Sequence, residues 1–390
     1  MQNKKITIGI NATFARKPNT GIGQVTINFL KRLAANNPKD INFVLYLEED
    51  LPEDFELPNN FQKRIFLPLW KRDDLIRKVW WEGHMLPKAV KKDGCGIFFS
   101  LYQCPTNIES AKHIMLVHDL IPRLFPEYLN NWRKKYYQKL TEVAIKHADK
   151  IIANSKRTEK DLIQQLAITA DKISVSYIDV DEIYKTQQDQ KITSRILKKY
   201  HLKPGYILAG GGLEVRKNVE GAIRAYDYLY KKNKKEKFIS EMPRLVVYGK
   251  LLPQLAPLAT DGEKLARELN LTKQIKFLDV VLQHDMPAIF SEAIMFVYPS
   301  HYEGFGMPVL EAMNQGVPVV TSKNSSLPEV GSDGVLYCQP DDIHDIAMVM
   351  KNVLLNKDLR ETLSRRAKMQ AQKFSWDRFV EKFLNITENV

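Results

Sequence analysis

Cysteine is scarce in this chain of 390 residues. Cys95, Cys104 and Cys338 stand at no metal-ligand spacing, and an odd count of three gives no disulfide framework. A reducing cytoplasm is the default this composition sets. Long apolar runs are missing too. No stretch approaches the roughly 18 residues of a membrane-spanning helix. The opening Met1-Gln-Asn-Lys-Lys-Ile-Thr-Ile-Gly-Ile10 is basic, then β-branched, which is the pattern of a first strand and not of a signal peptide. No short internal repeat, low-complexity tract or nucleic-acid motif is visible, so solenoids and sequence-reading nucleic-acid modules drop out.

What remains is an ordinary globular composition, 44% hydrophobic and 27% charged. The length favours two domains over one. The net charge of +12 and pI near 9.3 need an explanation. Between Phe61 and Lys92 there are nine Lys/Arg against three acids, with Trp70, Trp80 and Trp81 among them. Arg133 to Lys160 holds a second cluster, again nine basic residues against three acids. One reading is solvated helix faces with tryptophans in the core. The other is a basic, aromatic-edged face that docks on anionic lipid headgroups. Nucleic acid is not expected as a partner.

Strand and helix signals alternate along the first half. Strands are expected at Ile6 to Ile10, Ile41 to Leu47, Gly96 to Ser100, His113 to Val117, Lys150 to Ala153 and Ile173 to Tyr177. Asn11 to Gly23 reads as a loop, and Tyr128 to His147 as a helix. A second series runs through Tyr206 to Gly210, Arg244 to Tyr248, Gln274 to Leu278, Ile294 to Pro299 and Pro318 to Thr321, and the chain is helical from Asp341. Alternating βα units predict parallel sheets with helices on both faces. The polar stretch between the two series predicts a first domain over 1–186, a linker over 187–204, a second domain over 205–371 and a terminal helix over 372–390.

Two segments carry chemistry. His301-Tyr-Glu-Gly-Phe-Gly-Met-Pro-Val-Leu-Glu311 places Glu303 and Glu311 eight positions apart around Gly304-Phe-Gly306. A strand stops at a glycine turn and a helix starts near Pro308, since proline suits the first helical turn. Free N–H groups and the helix dipole at such a start can hold an anion. With a carboxylate on either side, the arrangement fits a phosphate flanked by polyhydroxylated groups, which is the shape of a nucleotide-sugar. The paired carboxylates also fit a glycoside hydrolase, or one cap and one exposed side chain. The second segment, Gly210-Gly-Gly-Leu-Glu-Val-Arg-Lys-Asn218, leaves a strand for a helix. Its glycines let backbone approach a phosphate, and Arg216 and Lys217 add two cations. A plain glycine turn before a solvated basic pair is the alternative.

Glu303-x7-Glu311, with Gly316-Val-Pro-Val-Val320 and Ser325-Ser-Leu-Pro-Glu-Val330 downstream, resembles the signature of the retaining GT-B glycosyltransferases, family 4 (group 1), in their mannosyltransferase-like branch. The likeness spans Gly9 to Trp376 and is weakest from Asp50 to Ser110. It implies two Rossmann-like, doubly wound domains facing each other across a cleft, the terminal helix crossing back to the first. It implies hexose transfer from a nucleotide-sugar, GDP-mannose first and UDP-glucose or UDP-N-acetylglucosamine as rivals, to a glycan or lipid-linked acceptor.

By the same resemblance, Arg216 and Lys217 neutralise the leaving diphosphate beside Gly211 and Gly212. Glu303 contacts sugar hydroxyls, Glu311 accepts from the ribose, and Gly304, Phe305, Gly306 and Met307 line the donor. Gly21 and Gly23, in Asn19-Thr-Gly-Ile-Gly23, face the donor phosphate. His118, in Val117-His-Asp-Leu-Ile-Pro122, lies against the sugar with Asp119 in support. The catalytic set is thus His118, Arg216, Lys217 and Glu303. No cofactor and no metal are expected: Asp179-Val-Asp181 has the spelling of a divalent site, but it lies at a domain edge and reads as turn chemistry. The family's Asn-Gly before its Val-Asp pair is Ile178-Asp179 here, which leaves that crossover loop open. No Schiff-base lysine motif of a phosphorylase is present. A sugar-nucleotide epimerase and a catalytically silent nucleotide-binding relative are the other readings.

Overall fold

The computed structural model describes residues 5–66, 75–250 and 257–390. Trp70, Lys71, Arg72, Asp73 and Asp74 of the first basic cluster lie outside them. The chain divides into two units, Met1–Asp179 with Phe374–Val390, and Val180–Lys373.

The first unit has seven strands, β1 (Ile6–Asn11), β2 (Ile41–Leu47), β3 (Phe61–Ile65), β4 (Ile97–Ser100), β5 (Lys112–Val117), β6 (Lys150–Ala153) and β7 (Ile173–Val175). All pairs are parallel, in the order β3-β2-β1-β4-β5-β6-β7. The central strands are buried on both faces, which is why they read as continuous apolar runs. β3 was not expected. It is an edge strand with four of its five residues exposed, so it lacks the apolar signal.

Helix α1 (Gly21–Asn36) follows β1. Thr20 Oγ1 accepts from Gly23 N at 3.2 Å as its cap. Gly21 and Gly23 therefore sit in the first helical turn, where a loop was expected. Gly23 cannot carry a Cβ, which would stand 1.8 Å from Lys17 O, whereas a Cβ at Gly21 meets open space. Helix α2 (Leu75–Trp80) leads to Trp81, which packs in the unit's core against Phe66, with Trp80 half-buried beside it. Arg77 is buried on Glu48. These tryptophans and this arginine are packing groups and not a docking face. Helix α3 (Trp132–His147) carries the second basic cluster.

The second unit begins before the expected linker ends. Residues 187–204 include helix α4 (Gln190–Lys199), capped by Asp189. The residues at its end anchor it inside the unit: Lys199 Nζ and Tyr200 OH reach Asp285 Oδ2 at 2.6 and 2.8 Å. Six parallel strands follow, β8 (Tyr206–Gly210), β9 (Leu245–Tyr248), β10 (Ile275–Leu278), β11 (Ala293–Tyr298), β12 (Val319–Ser322) and β13 (Leu336–Cys338), ordered β10-β9-β8-β11-β12-β13. Helix α5 (Val219–Glu236) leaves β8, and helix α6 (Met307–Asn314) leaves β11. The strand order reverses between β8 and β11. In an open α/β sheet, the crevice outside the carboxyl ends of those two strands is where ligands bind.

The terminal helix α7 (Trp376–Glu388) belongs to the first unit. Phe379 and Phe383 pack edge-on to Phe29 of α1, at ring distances of 5.8 and 5.3 Å. Among the described residues, no helix is long and apolar enough to cross a membrane.

Candidate functional site

The turn after β8 is made by three glycines at positive φ, Gly210 (+132°), Gly211 (+92°) and Gly212 (+114°). Neighbours close in on each: a Cβ would stand 2.1 Å from Tyr248 O, 3.1 Å from Pro308 Cγ and 2.9 Å from Lys217 Nζ respectively. Only glycine fits all three counts. A short 3-10 turn, Val215–Lys217, presents the cations, and Asn218 then enters α5 in the left-handed conformation (φ 54°). Asn218 Oδ1 accepts from Gly221 N at 3.0 Å, and its Nδ2 donates to Pro299 O and Pro340 O at 3.1 and 2.7 Å. This asparagine ties the β8 loop to the β11 exit, a role no sequence reasoning assigned to it.

The β11 loop meets the cations directly. Arg216 donates from Nη1 to Glu303 Oε1 (2.8 Å) and Tyr302 O (2.9 Å), and from Nε to Glu214 Oε2 (2.9 Å). Glu303 Oε1 also accepts from Tyr298 OH (2.6 Å), with Ser300 Oγ 3.1 Å away. Lys217 Nζ donates to Gly211 O. Arg216 and Glu303, read as facing phosphate and sugar separately, thus form one buried pair. Burial opposes ionisation of Glu303, but Arg216, Lys217 and the Tyr298 hydrogen bond more than offset it and hold its pKa below the usual carboxylate value. Burial also lowers the pKa of Lys217, against the pull of Glu303.

Serines pin the loop from behind. Glu303 N donates to Ser325 Oγ at 2.9 Å, and Ser326 Oγ lies 2.9 and 2.8 Å from Glu303 O and Phe305 O. Phe305 is buried at 4% exposure, and Gly304 is buried beside it. Gly306 (φ +110°) is held to glycine by Leu327. It begins α6 with no side-chain cap, Met307 half-buried in the first position and Pro308 in the first turn. Such an end offers N–H groups and dipole to an anion. Glu311, one turn on, is buried; burial pushes its pKa up to about 7, opposed by Lys217 and by a hydrogen bond with Tyr184, while Asp181 raises it further. Asp181 itself caps the turn Glu182–Tyr184.

Four of the sequence-assigned residues lie in the first unit. His118 is buried, with Nε2 2.9 Å from Leu101 O and its N–H donated to Gln103 Oε1 at 3.1 Å. Against a carbonyl, Nε2 carries the proton and Nδ1 the lone pair. Burial lowers its pKa to about 4, so the ring is neutral at neutral pH. Asp119 Oδ1 accepts from Ile121 N at 2.9 Å, a turn-forming role. Gly21 and Gly23 open α1. Among the described residues, no group of three or more His, Cys, Asp and Glu is placed to hold a metal ion.

Residues 190–370 match the family Glycosyl transferases group 1, and residues 19–181 match Glycosyltransferase Family 4. The O-antigen chain mannosyltransferase B of Escherichia coli is 31% identical over 286 residues, 73% of this chain and 71% of that protein. The serotype-specific mannosyltransferase WbdA of Escherichia coli is 32% identical over 271 residues, 68% of this chain but 32% of its own length. Among solved structures, WaaG, a glycosyltransferase involved in lipopolysaccharide biosynthesis, superposes with a TM-score of 0.73 at 16% identity, covering 98% of this chain and 99% of WaaG. Anabaena Alr3699/HepE in complex with UDP and glucose also gives 0.73 at 16%, covering 99% and 100%. The two parallel sheets are those of the GT-B fold, and the chain belongs to the group 1, family 4 glycosyltransferases.

Proposed function

We propose that this protein transfers mannose from GDP-mannose to a glycan or lipid-linked saccharide, with retention of configuration and without a metal. One observation carries the reading. The second unit assembles, at its strand-order switch, a glycine turn, a buried Arg216–Glu303 pair, Lys217 and an uncapped helix start. That combination suits a leaving diphosphate next to a sugar. The bond from the anomeric carbon to the β-phosphate oxygen breaks, and its electron pair leaves with the diphosphate. Lys217 and the α6 N-terminus stabilise the charge that develops there. The acceptor oxygen bonds to the same face, and its proton passes to the departing phosphate. Glu303, already oriented by Arg216, takes sugar hydroxyls, and Glu311 takes the ribose. Mannose is favoured because the relatives named above are mannosyltransferases. UDP is the rival base, since HepE was solved with UDP.

The test is calorimetric binding of GDP, UDP and ADP with EDTA present, then product analysis with GDP-mannose. Tight binding of GDP alone is expected. Preference for UDP overturns the donor, and loss of binding in EDTA overturns metal independence. Binding of none leaves a nucleotide-free scaffold.

Peripheral docking on an anionic membrane belongs to the same reading, and α3 is the face that supports it. Trp132, Tyr136 and Val143 are 67, 51 and 43% exposed on that helix. Arg133, Lys135, Lys139 and Lys146 are exposed around them.

A further inference from the structure

Tyr248 ends β9 beside the glycine turn. Its backbone pairs with Gly210, and its carbonyl accepts from Gly211 N at 3.3 Å. Its ring packs near Phe290 and Phe296, at 6.0 and 6.4 Å. Its hydroxyl is buried and has no hydrogen-bond partner among the described residues. That hydroxyl lies 3.3 Å from the position a Cβ on Gly211 would take. Phenylalanine would fill the same space without burying an idle donor, and an idle buried donor costs stability. The phenol also remains a donor throughout: burial, with Glu311 nearby, holds its pKa well above the ordinary value.

The Gly211 carbonyl belongs to the same turn, and Lys217 Nζ donates to it. In the proposed reaction that ammonium is wanted elsewhere. A lysine that swings onto a diphosphate leaves behind a carbonyl in need of a donor, in a turn whose three glycines allow small peptide rotations. We propose that Tyr248 is a positioning residue: when the donor diphosphate draws Lys217 off the Gly211 carbonyl, the Tyr248 hydroxyl donates to that carbonyl in its place and keeps the glycine turn in shape. The inference rests on the reading of this turn as the diphosphate site. It explains why a hydroxyl is kept idle there: its partner becomes available only when the site fills.

Two measurements on the full chain test it. In Tyr248→Phe, GDP affinity falls about tenfold, the worth of one buried hydrogen bond. The melting temperature without nucleotide stays level or rises. Unchanged affinity, or a lower melting temperature, overturns the proposal, the latter because it shows the hydroxyl already bonded. The second measurement needs no nucleotide. Lys217→Met leaves Gly211 O to Tyr248 from the start, so adding Tyr248→Phe to that background lowers the melting temperature, although it does not in the parent. Equal effects in both backgrounds overturn the exchange. If the parent protein binds no nucleoside diphosphate, the site reading fails, and this thermal cycle still decides whether the two donors compete for one carbonyl.

Discussion

Glu311 shows how much one buried carboxyl can set. With a pKa near 7 against an ordinary 4.5, it holds a proton over a pH range where the unfolded chain has already lost its own. The folded state binds more protons between those values, so this group's contribution is full below pH 4.5 and is lost as pH rises through 7. The span corresponds to on the order of 3 kcal/mol. Glu303, with a lowered pKa, works in the opposite direction, but it is common to parent and variant. Urea unfolding of Glu311→Gln and the parent across pH 4.5 to 8 should therefore diverge, the parent losing more. Parallel curves would mean that Lys217, Tyr184, Tyr248 and Asp181 around Glu311 leave it an ordinary acid. The carboxylates themselves were legible in the sequence, because Glu303, the glycines and Glu311 sit in one continuous segment. Tyr184 and Tyr248 were not, because they arrive from other elements and no spacing links them to Glu311.

At the scale of elements, legibility followed burial. β1, β4, β5, β8 and β11 were readable as apolar runs because both of their faces are covered. The exposed edge strand β3 and the three-residue β13 were not. Helix α4 reads as linker because Gln190, Lys191, Ser194, Arg195, Lys198 and Lys199 make it polar, while its buried face is only Thr193, Ile196 and Leu197. The basic clusters separated in the same way: in the first, Arg77 and Trp81 turn inward, whereas α3 turns Trp132 and Tyr136 outward. The lipid-docking proposal therefore belongs to α3. At low salt the protein should co-sediment with vesicles rich in phosphatidylglycerol and not with neutral ones. Trp132→Ser with Tyr136→Ser should weaken that binding at least about tenfold. Equal sedimentation with both vesicle types, or an indifferent double variant, would leave α3 a solvated face.

The whole molecule consists of two units with separate cores, and the chain returns to the first at its end. Phe383 is fully buried, 4.4 Å from Phe99 and 5.3 Å from Phe29 by ring centres. The glycine turn, Arg216, Lys217 and the start of α6 all lie in Val180–Lys373. The two perturbations should therefore act on different unfolding events. Phe383→Ala removes a core aromatic and should cost the first unit about 3–5 kcal/mol. A nucleoside diphosphate at a hundredfold its Kd should stabilise the second unit by about 2.7 kcal/mol. Scanning calorimetry of parent and Phe383→Ala, each with and without GDP, separates the two. Two transitions are expected, one lowered by the substitution and the other raised by the ligand. A single transition moved by both would mean that the units unfold together, so that a ligand held by the second unit also stabilises the packing of α7 on α1.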